Sequence, residues 1–200
     1  GVSNSLETDK SAFLREENLI RKTIKENPNK IFIYFSTCSI YDSSKNGSSY
    51  VNHKLKMEQI VEELANQFLI LRVSNAVGKG GNPNLLMNYL VNAFHQEKEI
   101  TVHTLATRNL IDADDVKNIT LKFINENSFN KIINVAYLEN FSTIQILEIL
   151  EKHFNKTAKT SLVKSGQSYL ISIPEAEAYF AENKLTEKKE YLLRIIKRYY

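Results

Sequence analysis

IFIYFSTCSIYDSSKNGSSYVNHK, residues 31–54, joins an apolar run to a polar loop and then to a helical pattern. Ile31 to Phe35 are β-branched or aromatic, which predicts a short strand covered on both faces. The run ends in Ser36 and Thr37, so hydroxyls stand at the strand's carboxyl end, where open α/β sheets place their ligands. The loop that follows is rich in Ser, Asn and Gly, and the helix after it opens with Tyr50. Tyr50 and Lys54 are spaced i, i+4 and so share one helix face.

A tyrosine with an ordinary pKa of about 10 is a poor acid or base near neutrality, and a neighbouring cation lowers that value. Bringing it to about 7 takes roughly 4 kcal/mol. One ammonium at about 4 Å supplies that at an effective dielectric of about 20, but not in bulk water. The chemistry therefore requires a cleft, with Thr37 holding the substrate oxygen against Tyr50. Alone, the spacing is weak, because a tyrosine at a helix start with a lysine one turn on is ordinarily a solvated face. The preceding strand and its Ser-Thr end strengthen the chemical reading.

Four segments carry a family resemblance: FSTCSIYD (35–42), YVNHK (50–54), LRVSNAVG (71–78) and TRNLIDADDV (107–116). In this order they resemble the short-chain dehydrogenase/reductase superfamily, most of all its extended branch of nucleotide-sugar epimerases, dehydratases and reductases. The resemblance implies an α/β, Rossmann-like doubly wound parallel sheet with a small C-terminal substrate-binding region. Residues 1–140 would form the partial Rossmann-like domain. Residues 141–200, interleaved with 74–110, would form the substrate-binding region. The resemblance makes Thr37, Tyr50 and Lys54 the catalytic set, with Tyr50, Lys54 and Ser36 on the cofactor side. Asn75, Asn84, Leu85 and Arg108 would contact a nucleotide-sugar substrate, and NAD or NADP would be the cofactor. It further implies a homodimer through helices 11–27 and 50–66.

Composition is that of an ordinary globular domain: 200 residues, 42% hydrophobic and 24% charged. A net charge of +3 is too small to argue for nucleic acid, and the basic C-terminus alternates with apolar residues like a helix face. One cysteine excludes an intrachain disulfide and a cysteine-based zinc site, and the four histidines have no ligand spacing. No apolar run approaches a membrane span and no signal peptide is visible, so the expectation is a cytoplasmic protein without metal or membrane partner.

Along the chain, residues 11–27 predict an amphipathic helix capped by Ser11, with Phe13, Leu14, Ile20 and Ile24 on its apolar side. The helix from Tyr50 runs to about Asn66 on a stripe of Val51, Leu55, Ile60, Val61 and Leu64, leaving Glu58 outside and His53 exposed. Strands are expected at 68–73, 100–104 and 131–136, with Asn75 either a ligand contact or a turn former. Arg108 either pairs with a substrate diphosphate or is salt-bridged to Asp112, Asp114 or Asp115. Asp114 or Asp115 is the expected cap of helix 115–126, and Ser142 or Thr143 that of helix 143–154. Beyond residue 157 the pattern gives strands at 161–163 and 169–173 and helices at 174–183 and 186–199.

Two features restrict the function. Cys38 and Ser39 follow Thr37 where 4,6-dehydratases of the family carry an Asp-Glu pair, which disfavours dehydration. No pair of the six glycines makes a G-x-G-x-x-G turn after a strand. The chain therefore reads as the back portion of a longer enzyme, because strand 31–37 reads as central yet nothing upstream would pair its outer edge. Two rivals stay open: a non-catalytic dehydrogenase-like binding subunit, which the missing glycines favour, and a reductase of small carbonyl compounds, which the short 38–49 loop favours.

Overall fold

The computed structural model describes residues 2–83 and 85–200. Strand β1 (Phe32–Thr37) is followed by helix α2 (Ser49–Leu64) and strand β2 (Phe68–Val73), which returns parallel to β1 with Phe32 opposite Phe68 and Thr37 opposite Val73. Strand β7 (Lys131–Val135) adds in parallel on the other side of β2. Helix α1 (Lys10–Glu26) precedes β1.

Alternation across this sheet separates two cores, as the two-residue period of a strand requires. Tyr34, Phe68 and Ile70 point to α1 and α2, where they pack with Ile20, Ile24, Met57, Ile60 and Val61. Leu69, Leu71, Ile133 and Val135 point the other way, into the main core. That core is completed by helices α3 (Leu86–His95), α4 (Ala113–Asn125), α5 (Thr143–Phe154), α6 (Pro174–Glu182) and α7 (Lys188–Tyr199). Helices thus cover both faces of a parallel sheet, the doubly wound arrangement the sequence predicts.

Short strand pairs extend the carboxyl side: β3 (Asn75–Val77) with β6 (Leu110–Asp112), β4 (Ile100–His103) with β9 (Thr160–Val163), both parallel, and β5 (Thr107–Arg108) antiparallel to β8 (Phe141–Ser142). Ser142 caps α5 in a full capping box with Gln145, as expected.

Several expectations need correction. Asp9, not Ser11, caps α1, because its carboxylate accepts the Ser11 amide. Leu14 is 57% exposed; the buried stripe of α1 is Ala12, Glu16, Ile20 and Ile24, a strict i, i+4 series. On α2, Leu64 is exposed whereas His53 and Glu58 are buried. Asp112, not Asp114 or Asp115, caps α4. Residues 169–173 form no strand; the Tyr169 and Ser172 carbonyls instead accept from the side-chain amides of Asn140 and Asn134. Strand β1 is not covered on both faces: Phe35 is half exposed, and among the described residues β1 pairs only with β2.

Candidate active site

The carboxyl ends of β1 and β2 open into a cleft of about 360 Å³ lined by Ser36, Thr37, Tyr50, Lys54, Asn75, Leu85 and Tyr169 among others. Thr37 is the last residue of β1, and Tyr50 lies in the first turn of α2, whose amino end Ser48 caps by accepting the Val51 amide. The parallel crossover from β1 to β2 is what brings that helix end against that strand end. Thr37 Oγ1 accepts the Ser39 amide at 3.0 Å, which leaves its proton for the Tyr50 hydroxyl.

Tyr50 and Thr37 are buried, and so is Lys54, at 4% exposure. Lys54 Nζ donates to the Tyr34 hydroxyl at 3.0 Å, the Phe35 carbonyl at 3.3 Å and Glu16 Oε1 at 3.4 Å. It stands 6.0 Å from the centre of the Tyr50 ring. The expected depression of the Tyr50 pKa is absent. Burial raises it, the Thr37 hydrogen bond pulls it down, and the Glu16 charge raises it further. The Glu16 carboxylate, 3.4 Å from the ammonium, opposes its field at Tyr50. Burial likewise lowers the Lys54 pKa, against the raising effect of Glu16.

Beneath the strand ends lies a second buried ion pair. Glu58 of α2 receives Arg72 of β2 through Nε at 3.0 Å and Nη2 at 2.6 Å, and Ser36 Oγ donates to it at 2.5 Å. Ser36 therefore faces the cleft but spends its proton on Glu58. Cys38 is 1% exposed, donates its thiol to the Arg72 carbonyl at 2.9 Å, and is pushed by burial up to about 12, which leaves it a packing residue.

Asn75 opens β3 and lines the cleft, with its Nδ2 donating to the Asn109 carbonyl at 2.8 Å. Leu85 lies on the rim, 42% exposed, and Asn84 lies outside the described residues. Arg108 makes none of the salt bridges open to it in sequence. Its Nη1 donates to the carbonyls of Thr107 and Gln167, while Asp112 and Asp115 are taken by Arg194, Arg198, Tyr179, Tyr191 and Tyr199. Gln167 belongs to a strap that carries Tyr169 to the cleft and that Asn140 also holds, through Nδ2 to the Tyr169 carbonyl. The strap turns at Gly166, where φ is +118° and a Cβ would meet Ala106 at 2.6 Å.

Sequence reading missed Glu16, His53, Tyr34, Glu58, Arg72 and Tyr169. The first is detectable in retrospect, as a carboxylate on the same i, i+4 line as Ala12, Ile20 and Ile24. Tyr169 has no such signal, since it lies outside any periodic element. Among the described residues no cluster could hold a metal ion, and no helix is long and apolar enough to cross a membrane.

A sequence model of the NAD dependent epimerase/dehydratase family matches residues 4–136. A search of the curated proteins finds no match. Solved structures with the same fold include UDP-N-acetylglucosamine 4-epimerase from Bacillus cereus, at a TM-score of 0.70 and 16% identity over 97% of this chain and 77% of that one. UDP-glucuronic acid 4-epimerase from Bacillus cereus, with UDP-glucuronic acid and NAD, matches at 0.68 and 18% identity over 96% and 81%. dTDP-glucose 4,6-dehydratase from Bacillus anthracis, with NAD, matches at 0.68 and 15% over 96% and 72%.

Proposed function

The chain belongs to the NAD dependent epimerase/dehydratase family, and from that premise we propose that it acts on a nucleotide sugar as an NAD(P)-dependent epimerase or ketoreductase. The observation that carries this reading is the convergence of Thr37, Tyr50 and Lys54 on one cleft at the carboxyl ends of β1 and β2. Those residues fit the nicotinamide-ribose end of a dinucleotide: a buried ammonium and a phenol beside an open strand edge. A bound nicotinamide would supply hydride exchange with the sugar carbon. Tyr50 donates a proton to a carbonyl oxygen or, once ionised, takes one from a hydroxyl. Thr37 orients that oxygen through its hydroxyl, and Lys54, whose protons go to Glu16, Tyr34 and the Phe35 carbonyl, would hold the ribose by releasing one of these acceptors.

The lining of the cleft supports epimerisation or ketone reduction over elimination. Among its described residues there is no carboxylate, and the two positions after Thr37 are an inward-turned thiol and a serine. Asn75, Leu85 and Asn84 would meet the substrate in this reading, and Arg108 would reach a diphosphate by leaving the Gln167 carbonyl. Residues 1–140 supply the catalytic half and 141–200, with 74–110, the substrate side. Exposed Leu14 and Leu19 on α1 and Leu64 on α2 support pairing of two copies through these helices, which sedimentation velocity would test. A free, buried cysteine suits the reducing cytoplasm.

Calorimetric titration of NAD, NADPH and UDP-sugars into the polypeptide as its gene encodes it tests the reading. It predicts cofactor and sugar-nucleotide binding that survives Tyr50→Phe, with conversion of the sugar abolished. A folded protein that binds neither ligand would sink it and favour the non-catalytic alternative.

A further inference from the structure

Glu16 and His53 are buried, titratable and unused by the chemistry above. Glu16 of α1 bridges two consecutive residues of α2: its Oε2 meets His53 Nε2 at 2.6 Å and its Oε1 meets Lys54 Nζ at 3.4 Å. All three side chains are 6% exposed or less. Phe13, one turn before Glu16, stacks on the His53 ring at 4.6 Å and fixes its plane. We infer that Glu16 is a positioning residue for the Tyr50–Lys54 pair, and that His53, its second partner, anchors its carboxylate against the lysine.

The inference rests on the reading of Tyr50 as the proton-transfer group. On β1, Tyr34 and the Phe35 carbonyl are neutral acceptors. On its own helix, Tyr50 and His53 flank it, and Glu58, one turn on, is neutralised by Arg72. Glu16 is therefore the one carboxylate in contact with Lys54 among the described residues. It keeps a buried ammonium charged that the neutral partners alone would not.

The same carboxylate shields Tyr50 from that ammonium. The hydrogen bond between Glu16 Oε2 and His53 Nε2, on the residue next to Lys54, fixes the carboxylate in that position.

Nuclear magnetic resonance of the chain labelled with 13Cζ-tyrosine and 13Cε-lysine reads this without cofactor or turnover. His53→Gln, which removes the second anchor of the Glu16 carboxylate, should move the Lys54 midpoint downward by less than Glu16→Gln does. Glu16→Gln should lower the Lys54 midpoint by about one pH unit or more, a tenfold change in its proton affinity. An unmoved Lys54 midpoint in folded Glu16→Gln would overturn the inference. Should that variant not fold, an unmoved Lys54 midpoint in His53→Gln would overturn it equally. Absence of sugar conversion by the wild type, with the Lys54 midpoint moved as expected in the variants, would count against the proposed function alone.

Discussion

Glu58→Ala removes the acceptor at the centre of the ion pair beneath the strand ends. The Glu58 side chain is 3% exposed and that of Arg72 is 21%. The substitution leaves a mostly buried guanidinium without its counter-ion and the Ser36 hydroxyl without its 2.5 Å acceptor. Breaking a buried pair from one side costs about 3–5 kcal/mol, and the partial exposure of Arg72 places this site near the lower end, at about 3 kcal/mol. For a chain of this size that is a fall in Tm of roughly 6–12 °C. Urea denaturation followed by circular dichroism is the assay, with the midpoint shifted and the slope unchanged. Arg72→Ala should cost a similar amount, and the double variant much less than the sum, with a coupling energy of about 1–3 kcal/mol. Replacing both residues with methionine should recover most of the loss, since a buried pair offers little net stability over apolar packing. A Glu58→Ala variant within about 0.5 kcal/mol of wild type, or costs that simply add, would refute the reasoning.

Three further outcomes follow from the same geometry. Cys38, raised to about 12 by burial, should resist a thiol reagent at pH 8 in the native state and react at once in urea; a rapid native reaction would show the thiol accessible. Gly166→Ala should destabilise by roughly 1–3 kcal/mol, through positive φ and the clash with Ala106, and should weaken ligand binding through the displaced Tyr169 strap; an unchanged Tm would contradict this. Tyr50→Phe should lower turnover by about 10²–10⁴-fold at constant fold and binding, and equal turnover would remove Tyr50 from the chemistry.

The sheet was legible because its strands are short runs rich in β-branched and aromatic residues bounded by polar turns; FLILRV and KIINV fall where the pattern puts them. The Thr37–Tyr50–Lys54 constellation was legible because it hangs on one strand end and one helix start. What the pattern concealed was polar and buried. His53, Lys54 and Glu58 continue the buried face of α2 that begins at Tyr50, but a stripe counted from apolar residues alone passes them over. Their burial is tolerated only because Glu16 and Arg72 come from other elements, and such partners cannot be paired by spacing within one helix. Asp112 escaped as the cap of α4 for a local reason: three acids lie within four residues, and only its carboxylate reaches the Asp114 amide. The expected low pKa of Tyr50 failed because it counted one charge where the fold places two.

The most direct test of the account is proton NMR of a nucleotide-sugar panel incubated with NAD and the polypeptide as its gene encodes it, wild type beside Tyr50→Phe. The wild type should convert a UDP- or dTDP-hexose to its epimer, or reduce its keto form with NADH or NADPH, with no dehydrated product, and Tyr50→Phe should bind the same ligands without converting them. Conversion by Tyr50→Phe at the wild-type rate, or accumulation of a dehydrated sugar, would contradict it.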